Sequence, residues 1–483
     1  MTDVTSHENE LDVTGLRAQV AGPVLTPGDD GFAEEVVSWI RNFDHTPQVA
    51  VGATSVADVI AAVKFARHHS LPVRVQATGH ASHFAITNGV LILTKRMNGV
   101  AVDAATRTAT IAAGVPWGAV VAAAAEAGLA PITGSSPTVG AVGFLLGGGV
   151  GPLARSFGFG SDYVESVEVV TGDGDLVTAS ADQNPELFWA LRGGKAGLGV
   201  VTEVRVRLVE LESLYGGSLF FDADAIEPAL RAWVDYTQTA DPHVTTSIAI
   251  VRMPDLPFIP EPVRGRTLLA LRFAYTGDAA LDSATADRAA SDPATADLAV
   301  PELATPELAE QGALLAAPLR AAAPVYIDSL GVMPAGEIAR IHGDPTDPTI
   351  GWTLGRMFTS IDQEFASALL RHVGAQQQAP YVAVEVRHLG AATEVDVPGG
   401  SAVGGRSAPY TLNLVGAPNP ALFAEVLPLH SAALLEDLAP WLAAVTTVNF
   451  LGYPGATAWS AETNERLKRV RAEVDPGGIF VLE

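Results

Sequence analysis

The sequence predicts a two-domain α+β protein, with a glycine-rich domain built from both ends of the chain and a domain of antiparallel strands covered by helices between them. Three observations lead there. A strand–helix–strand pattern over residues 48–77 is followed by a run that packs nine glycines into the 27 residues from Gly134 to Gly160. From about residue 210 the texture shifts to longer periodic segments with fewer glycines, and near Val448 it returns to the loop-rich style of the beginning. The expected divisions are residues 1–210, 211–440 and 441–483, the last segment rejoining the first domain.

Gln48 to Val51 reads as a short strand, and Thr54-Ser55 then precedes Val56, Val59, Ile60, Val63 and Ala66, the spacing of one helix face, with Ser55 and Asp58 as a capping box. Pro72 ends that helix, and Val73 to Ala77 is the next strand. A parallel crossover of this kind sends its loops out at the carboxyl ends of strands, where ligands bind, so Thr78-Gly79-His80 lies in such a loop. Val90 to Thr94 is a third strand, and Val100 to Ala113 alternates around a turn at Ala104 to Arg107. Pro116 opens a helix closed by Gly128. After the glycine run, Gly172-Asp-Gly-Asp175 joins two strands, a short helix begins at Asn184-Pro185, and Val200 to Leu208 is a strand.

Ala225 to Ala240 has a helical pattern, and Thr245 to Met253, Arg266 to Tyr275, Tyr381 to Leu389 and Tyr410 to Val415 have strand patterns. Asp278 to Gln311, rich in Ala, Asp and Pro, is expected to be mobile or irregularly helical. Pro420 to Leu442 is expected to be mostly helix, and the closing segment to Phe480 a series of loops and caps.

Bulk properties exclude several classes. Lys and Arg total 29 against 54 Asp and Glu, a formal charge of -25, which argues against a nucleic-acid backbone or an anionic membrane as partner. With no cysteine, disulfides, thiolate nucleophiles and Cys-ligated metals are ruled out, and no metal is expected. The polar, acidic start lacks the regions of a signal peptide, and no run of about 18 apolar residues appears, so a cytoplasmic monomer or homodimer is expected.

Two nucleotide signatures fail on the glycines. Gly194-Lys195 is followed by Ala196, and Trp189 stands where a Walker A loop needs glycine. Gly147-Gly-Gly149 meets Pro152 where a dinucleotide fingerprint needs its third glycine. Backbone amides of tight glycine turns still cradle a pyrophosphate without basic side chains, and loops 77–83 and 134–143 are suited to that; the plain alternative is that the glycines serve turns between crowded strands.

The order of the pieces goes further. Pro72-Val-Arg-Val-Gln-Ala-Thr-Gly-His80, Gly114-Val-Pro-Trp-Gly118, Gly134-Ser-Ser-Pro-Thr-Val-Gly140, Gly147-Gly-Gly-Val-Gly-Pro-Leu-Ala-Arg155, Leu187-Phe-Trp-Ala-Leu-Arg-Gly-Gly194 and Gly199-Val-Val-Thr202 follow one another. So ordered, they resemble the FAD-linked oxidases of the vanillyl-alcohol oxidase and p-cresol methylhydroxylase superfamily, and most of all its berberine-bridge-enzyme-like branch, with the bacterial 6-hydroxynicotine oxidases. The resemblance implies a PCMH-type FAD-binding fold. It also implies an oxidase that removes hydride from a C–H beside O or N of a small organic substrate and passes electrons to dioxygen. The alternative is a flavoprotein of the same fold that performs a cyclisation in natural-product biosynthesis.

In that family a histidine of the first loop is bonded to the flavin 8α-methyl, and His80 takes its place, with His83 as rival and a turn-stabilising role for His80 as the plain alternative. Relatives often carry a second bond from a cysteine where this chain has Ser136, so a single covalent bond is expected. Gln76 and Ala81 replace the family's frequent Arg and Ser, which leaves the pyrophosphate to the backbone of Ala77, Thr78 and Gly79. Gly134, Ser135, Thr138, Val139, Gly140 and Gly143 match the second pyrophosphate loop, Val200 and Val201 the strand edge at the adenine, and Asn449 an asparagine near the flavin. The preceding position, often Tyr, is Val448.

Alternation over Tyr381 to His388 puts Tyr381, Glu385 and Arg387 on one strand face and the valines on the other. Glu385 is the expected base, Arg387 its partner or a substrate anchor, and Tyr410 an alternative base. A purely structural Glu385–Arg387 pair is the competing reading.

Overall fold

The computed structural model describes residues 11–257, 259–277, 305–452 and 456–481. After α1 (Thr14–Arg17) and α2 (Phe32–Val36), the first sheet is built from β1 (Val24–Leu25), β2 (Val49–Gly52), β3 (Val73–Gln76) and β4 (Val90–Leu93) in the order β1-β2-β4-β3. The crossover helix α3 (Val56–His68) does connect parallel strands, but β4 inserts between them and pairs parallel with both. Its Val59, Ala62, Val63 and Ala66 are fully buried, against Val51, Val73, Val90 and Ile92. The expected capping box is half formed. Ser55 Oγ accepts from Asp58 N, while the Asp58 carboxylate accepts from Thr54 N at 2.8 Å and Ala21 N at 2.9 Å, tying the N-terminal arm to the helix.

A second, antiparallel sheet follows: β5 (Val100–Asp103), β6 (Thr108–Ala112), β8 (Val164–Val170), β9 (Leu176–Ser180) and β10 (Val200–Arg207), in the order β5-β6-β10-β8-β9. The short pair β7 (Leu129–Ala130) and β11 (Val209–Glu210) lies outside it. Helices α4 (Trp117–Ala125), α5 (Ala141–Leu145), α6 (Ala154–Phe157) and α7 (Pro185–Leu191) connect these strands, α5 and α6 lying within the glycine-rich stretch.

The third sheet crosses residues 213–416: β12 (Ser213–Phe221), β13 (Val244–Arg252), β14 (Thr267–Tyr275), β15 (Val325–Asp328), β16 (Gly331–Pro334), β17 (Thr353–Phe358), β18 (Tyr381–His388) and β19 (Tyr410–Gly416). Its order is β15-β12-β14-β13-β18-β19-β17, with β16 also on β12 and every pair antiparallel. One face packs on α8 (Ile226–Thr237), α9 (Thr305–Arg320), α10 (Gln363–Val373) and α11 (Val426–Asp437). In α8 the buried set Ile226, Ala229, Leu230, Trp233, Val234 and Thr237 follows the helical repeat, so one stripe meets Leu271, Val384 and Leu412. Removing a large side chain such as Trp233 from water contributes about 1.5–3 kcal/mol.

Two expectations need correction here. Residues 278–304 lie outside the described residues, but 305–311, expected to be mobile or irregularly helical, begin the continuous sixteen-residue helix α9. The closing segment holds a full helix, α12 (Ala461–Val474), capped by Ser460. Its charge-rich sequence hides a narrow apolar strip, Leu467 and Val470, which packs into the core containing Phe188 and Trp189 of α7. The chain then adds to the first sheet, Val73 N donating to Ile479 O at 2.8 Å.

The two parts are clamped by Arg155 of α6. Its guanidinium, nearly all buried, donates to the carbonyls of Val244 (2.8 Å), Ala240 and Asp241 (both 3.3 Å) and Leu389, and to His388 Nε2 at 3.0 Å. Because arginine only donates, His388 must accept and is neutral; burial and the guanidinium push its pKa down to about 2.

Candidate active site

The loop after β3 turns at Gly79, whose φ is 79°. An added Cβ would come within 2.4 Å of Ser38 Cβ, so only glycine lets segment 38–40 pass this close. That segment bonds to the loop through Trp39 N to Thr78 O (3.0 Å) and Ile40 N to Gly79 O (3.2 Å). The Trp39 ring stacks on His80, centroids 4.0 Å apart and 18° from parallel. His80 Nε2 lies 2.9 Å from Thr138 Oγ1, which lies 3.1 Å from Ser136 Oγ. Burial drives the His80 pKa down to about 4, against smaller opposing effects of Thr138 and Asp344, so the ring is neutral at pH 7. His45 braces the far side of the loop, accepting at Nδ1 from Ile86 N (3.1 Å) with Nε2 3.1 Å from Ser82 Oγ.

The second loop is pinned on α4, with Trp117 N donating to Val139 O and Gly118 N to Pro137 O. Gly140 lies against the first loop. A Cβ there would sit 3.4 Å from Ala77 Cβ and 3.6 Å from Thr78 Oγ1, whereas one on Gly143 would have nothing within 4 Å. Ser135 Oγ donates to Asp344 Oδ2 at 2.6 Å, which carries the second loop to the 213–416 region. Lys195, at φ 61° among glycines, donates from Nζ to Gly143 O (2.6 Å) and Asn449 Oδ1 (2.8 Å), while Asn449 Nδ2 donates to Phe144 O (2.8 Å). Loss of solvent lowers the Lys195 pKa to about 8. Crowding by surrounding atoms and the Lys195 charge lower that of His83, although part of its side chain is exposed.

Other expected cofactor residues are placed less directly. Gln76 is buried and donates to Val36 O (3.4 Å) and Val37 O (3.2 Å), so its amide braces the chain and only its backbone serves the loop. Ala81 is exposed, and Val200 and Val201 bury their side chains inside β10, paired with Val170 and Val169.

Taken together, Ala77 to His80 and Gly134 to Gly143 form two adjoining backbone loops with an open ledge at Gly143 and one desolvated ammonium. Main-chain N–H groups with a single cation fit a pyrophosphate, and the neutral His80 ring fits a flavin edge. Residues 47–180 match the model of an FAD binding domain. The chain has a PCMH-type FAD-binding fold. It is 38% identical over 194 residues to an (R)-6-hydroxynicotine oxidase of Paenarthrobacter nicotinovorans, a match covering 40% of this chain and 42% of that one. The chain thus matches less than half the length of that curated relative. In fold, it superposes on 6-hydroxy-D-nicotine oxidase from Arthrobacter nicotinovorans at TM-score 0.78, 24% identity, covering 95% and 96% of the two chains. The BBE-like 1 protein of Physcomitrella patens gives TM-score 0.78 at 17% identity, over 98% of each chain.

The face of the third sheet turned away from the helices is polar and largely buried. Ser218, Arg272, Ser247, Arg387 and Thr411 are register partners from strand to strand, and Glu385 and Asn413 form a second pair beside them. Phe450, next to Asn449, packs against this face. Its carbonyl would lie 2.1 Å from a Cβ on Gly355, and Arg387 stands over its ring at 5.5 Å.

The expected catalytic set does not hold together on this face. A register shift between Tyr381 and Ala383 turns Tyr381 to the helix side, where it joins the core of Val384 and Val386 and its hydroxyl meets His430 Nδ1 at 3.2 Å. Tyr410 also faces the helices, its ring stacked on His388 and its hydroxyl donating to Thr237 Oγ1 at 3.1 Å. Glu385 and Arg387 do share the polar face, as a buried ion pair: Oε2 accepts from Arg387 Nε (2.8 Å), and Oε1 from Arg272 Nη1 (2.7 Å) and Ser247 Oγ (2.9 Å). Despite burial, the two guanidiniums hold its pKa well below the usual carboxylate range, which makes it a poor proton acceptor.

Arg272, His342 and Lys195 escaped the sequence reading. Arg272 had a visible signal, one charge inside the apolar strand Thr267–Tyr275. Lys195 carried another, a lysine in a glycine-rich turn that matched no phosphate motif. His342 had none, because its neighbours in space come from strands remote in sequence.

Proposed function

We propose that the chain is an FAD-dependent oxidase that removes hydride from a C–H beside oxygen or nitrogen of a small organic substrate, with dioxygen as electron acceptor and His80 as the single covalent anchor of the flavin. The observation that carries this reading is the neutral His80 ring where two glycine loops meet. A flavin bound there supplies the hydride acceptor and the two-electron chemistry. In the tautomer that donates Nε2–H to Thr138 Oγ1, the Nδ1 lone pair of His80 is left as the nucleophile. Ser136 offers a hydroxyl in place of a thiol, so no thioether forms. Lys195 and Asn449 hold the opposite rim together and bring positive charge to it. The likeness to an (R)-6-hydroxynicotine oxidase supports oxidation as the reaction class.

Purified protein tests the reading directly. Yellow colour retained in the acid-precipitated pellet, flavin bleaching by an alcohol or amine without air, and peroxide on readmitting air are the expected results. A colourless pellet removes the covalent anchor. Bleaching with no peroxide turns the reading toward a dehydrogenase or a cyclising flavoprotein.

A further inference from the structure

The polar face holds more positive charge than its own carboxylate answers. Arg272 and Arg387 both bind Glu385, leaving one net positive charge in a cluster whose side chains are 12%, 10% and 7% exposed. His342, 5% exposed, adds a ring held neutral by burial and the two guanidiniums. Its Nε2 is 3.4 Å from Glu385 Oε1, yet neither ring nitrogen makes a hydrogen bond among the described residues. Arg272 Nε is likewise buried and without a partner. Asp344, two residues along from His342, keeps its negative charge while accepting from Ser135 Oγ, but it makes no ion pair with either guanidinium among the described residues. Arg272, His342, Arg387 and Ser247, with Gly151 and Pro152 opposite, line a small cleft. Buried donors and an unbalanced buried charge are costly unless something meets them.

We propose that this cleft is an anion subsite, in which Arg272, Arg387 and His342 bind a carboxylate carried by the substrate. The proposal rests on the oxidase reading for what happens next, since it makes the substrate a small carboxylate-bearing alcohol or amine. Geometry favours a carboxylate over a neutral amide. Every unpaired group named is a donor or, for His342, able to donate one N–H, and Glu385 already fills the acceptor role. Two guanidiniums with planar forks match the two oxygens of a carboxylate. The cluster is linked to both cofactor loops through its neighbours, since Arg387 overlies Phe450 beside Asn449, and His342 is two residues from Asp344, which accepts from Ser135.

The test uses the flavin-loaded protein with acetate and its neutral isostere acetamide, at equal ionic strength set with chloride. Binding is read by intrinsic tryptophan fluorescence and thermal shift, and separately by flavin absorbance. Acetate is expected to bind at least tenfold tighter than acetamide, Arg272→Gln and His342→Gln to remove most of that preference, and Arg272→Lys to keep part of it. Equal binding of acetate and acetamide, or an unchanged preference in a folded Arg272→Gln protein, overturns the proposal. Protein fluorescence needs no turnover, so an acetate response persisting in protein without oxidase activity would sink the oxidase reading and leave the subsite standing.

Discussion

Trp39 and His80 stack face to face, 4.0 Å between centroids and 18° from parallel, and this contact joins the N-terminal arm to the loop proposed to carry the flavin. The stack and the Thr138 hydroxyl, 2.9 Å from Nε2, fix the ring from its face and its edge. In the proposed attachment, a ring fixed this way would attack from Nδ1 without searching rotamers.

His80→Ala is therefore expected to leave acid-precipitated protein colourless while FAD still binds reversibly through the backbone loops. Thr138→Val keeps the ring but frees its edge and its tautomer. It is expected to slow covalent attachment about 100-fold, the lower end of what a general acid–base contact contributes. Attachment is followed as flavin absorbance in the denatured protein after adding FAD to the unliganded form.

Gly79→Ala meets both a left-handed φ and a 2.4 Å approach to Ser38 Cβ. The backbone strain alone costs about 1–3 kcal/mol, and relieving the clash must displace segment 38–40 and the Trp39 stack. The expected result is a lower melting temperature together with loss of covalent flavin. By contrast, Gly143→Ala, with nothing within 4 Å of its new Cβ, should leave stability within about 0.5 kcal/mol of wild type.

The sequence made the local elements legible because hydrophobic period and turn chemistry are local: α3, the 172–175 turn and β18 lie where Val59, Gly174 and Val384 put them. What it hid was long-range. Nothing local tells β4 to insert between β2 and β3, and one bulge beside Val382 moved Tyr381 to the opposite face while leaving Glu385 where alternation put it. The cofactor loops were legible through ordered glycine motifs. The polar face was only half so, since Arg272 and His342 meet Glu385 from 113 and 43 positions away.

Lys195 donates to Asn449 across 254 residues and titrates near pH 8. A lysine with its pKa lowered from 10.5 binds fewer protons folded than unfolded between pH 8 and 10.5, so the unliganded protein gains stability from this group as pH rises through that window. Affinity for FAD should move the opposite way, weakening above pH 8 as the positive charge is lost. Lys195→Met is expected to flatten both profiles, measured by thermal melts and FAD titration.

The Arg155–His388 contact sets an acid limit. His388 is neutral when folded down to about pH 2 but protonates near 6.5 when unfolded, so the unfolded state binds more protons between those values. Stability is lost as pH falls below 6.5, at up to about 1.4 kcal/mol per pH unit from this residue. His80, down to about 4, acts in the same direction over a shorter range. His388→Gln, whose amide oxygen still accepts from Arg155, is expected to be less acid-labile than wild type, as read by denaturant midpoints from pH 7 to pH 4.

Glu385→Gln separates a proton acceptor from a charge partner. The carboxylate is bound by two guanidiniums and a hydroxyl, and stays ionised well below pH 4.5, so it can neither take up a substrate proton readily nor create an acid limb in kcat/KM near neutrality. Its removal leaves Arg272 and Arg387 facing each other, and breaking a buried ion pair in this way costs about 3–5 kcal/mol. The expected outcome is a marked drop in melting temperature, partly recovered by added acetate, with any limb in the pH–rate profile unmoved. A limb near neutrality that vanishes in the glutamine protein would restore Glu385 as the base.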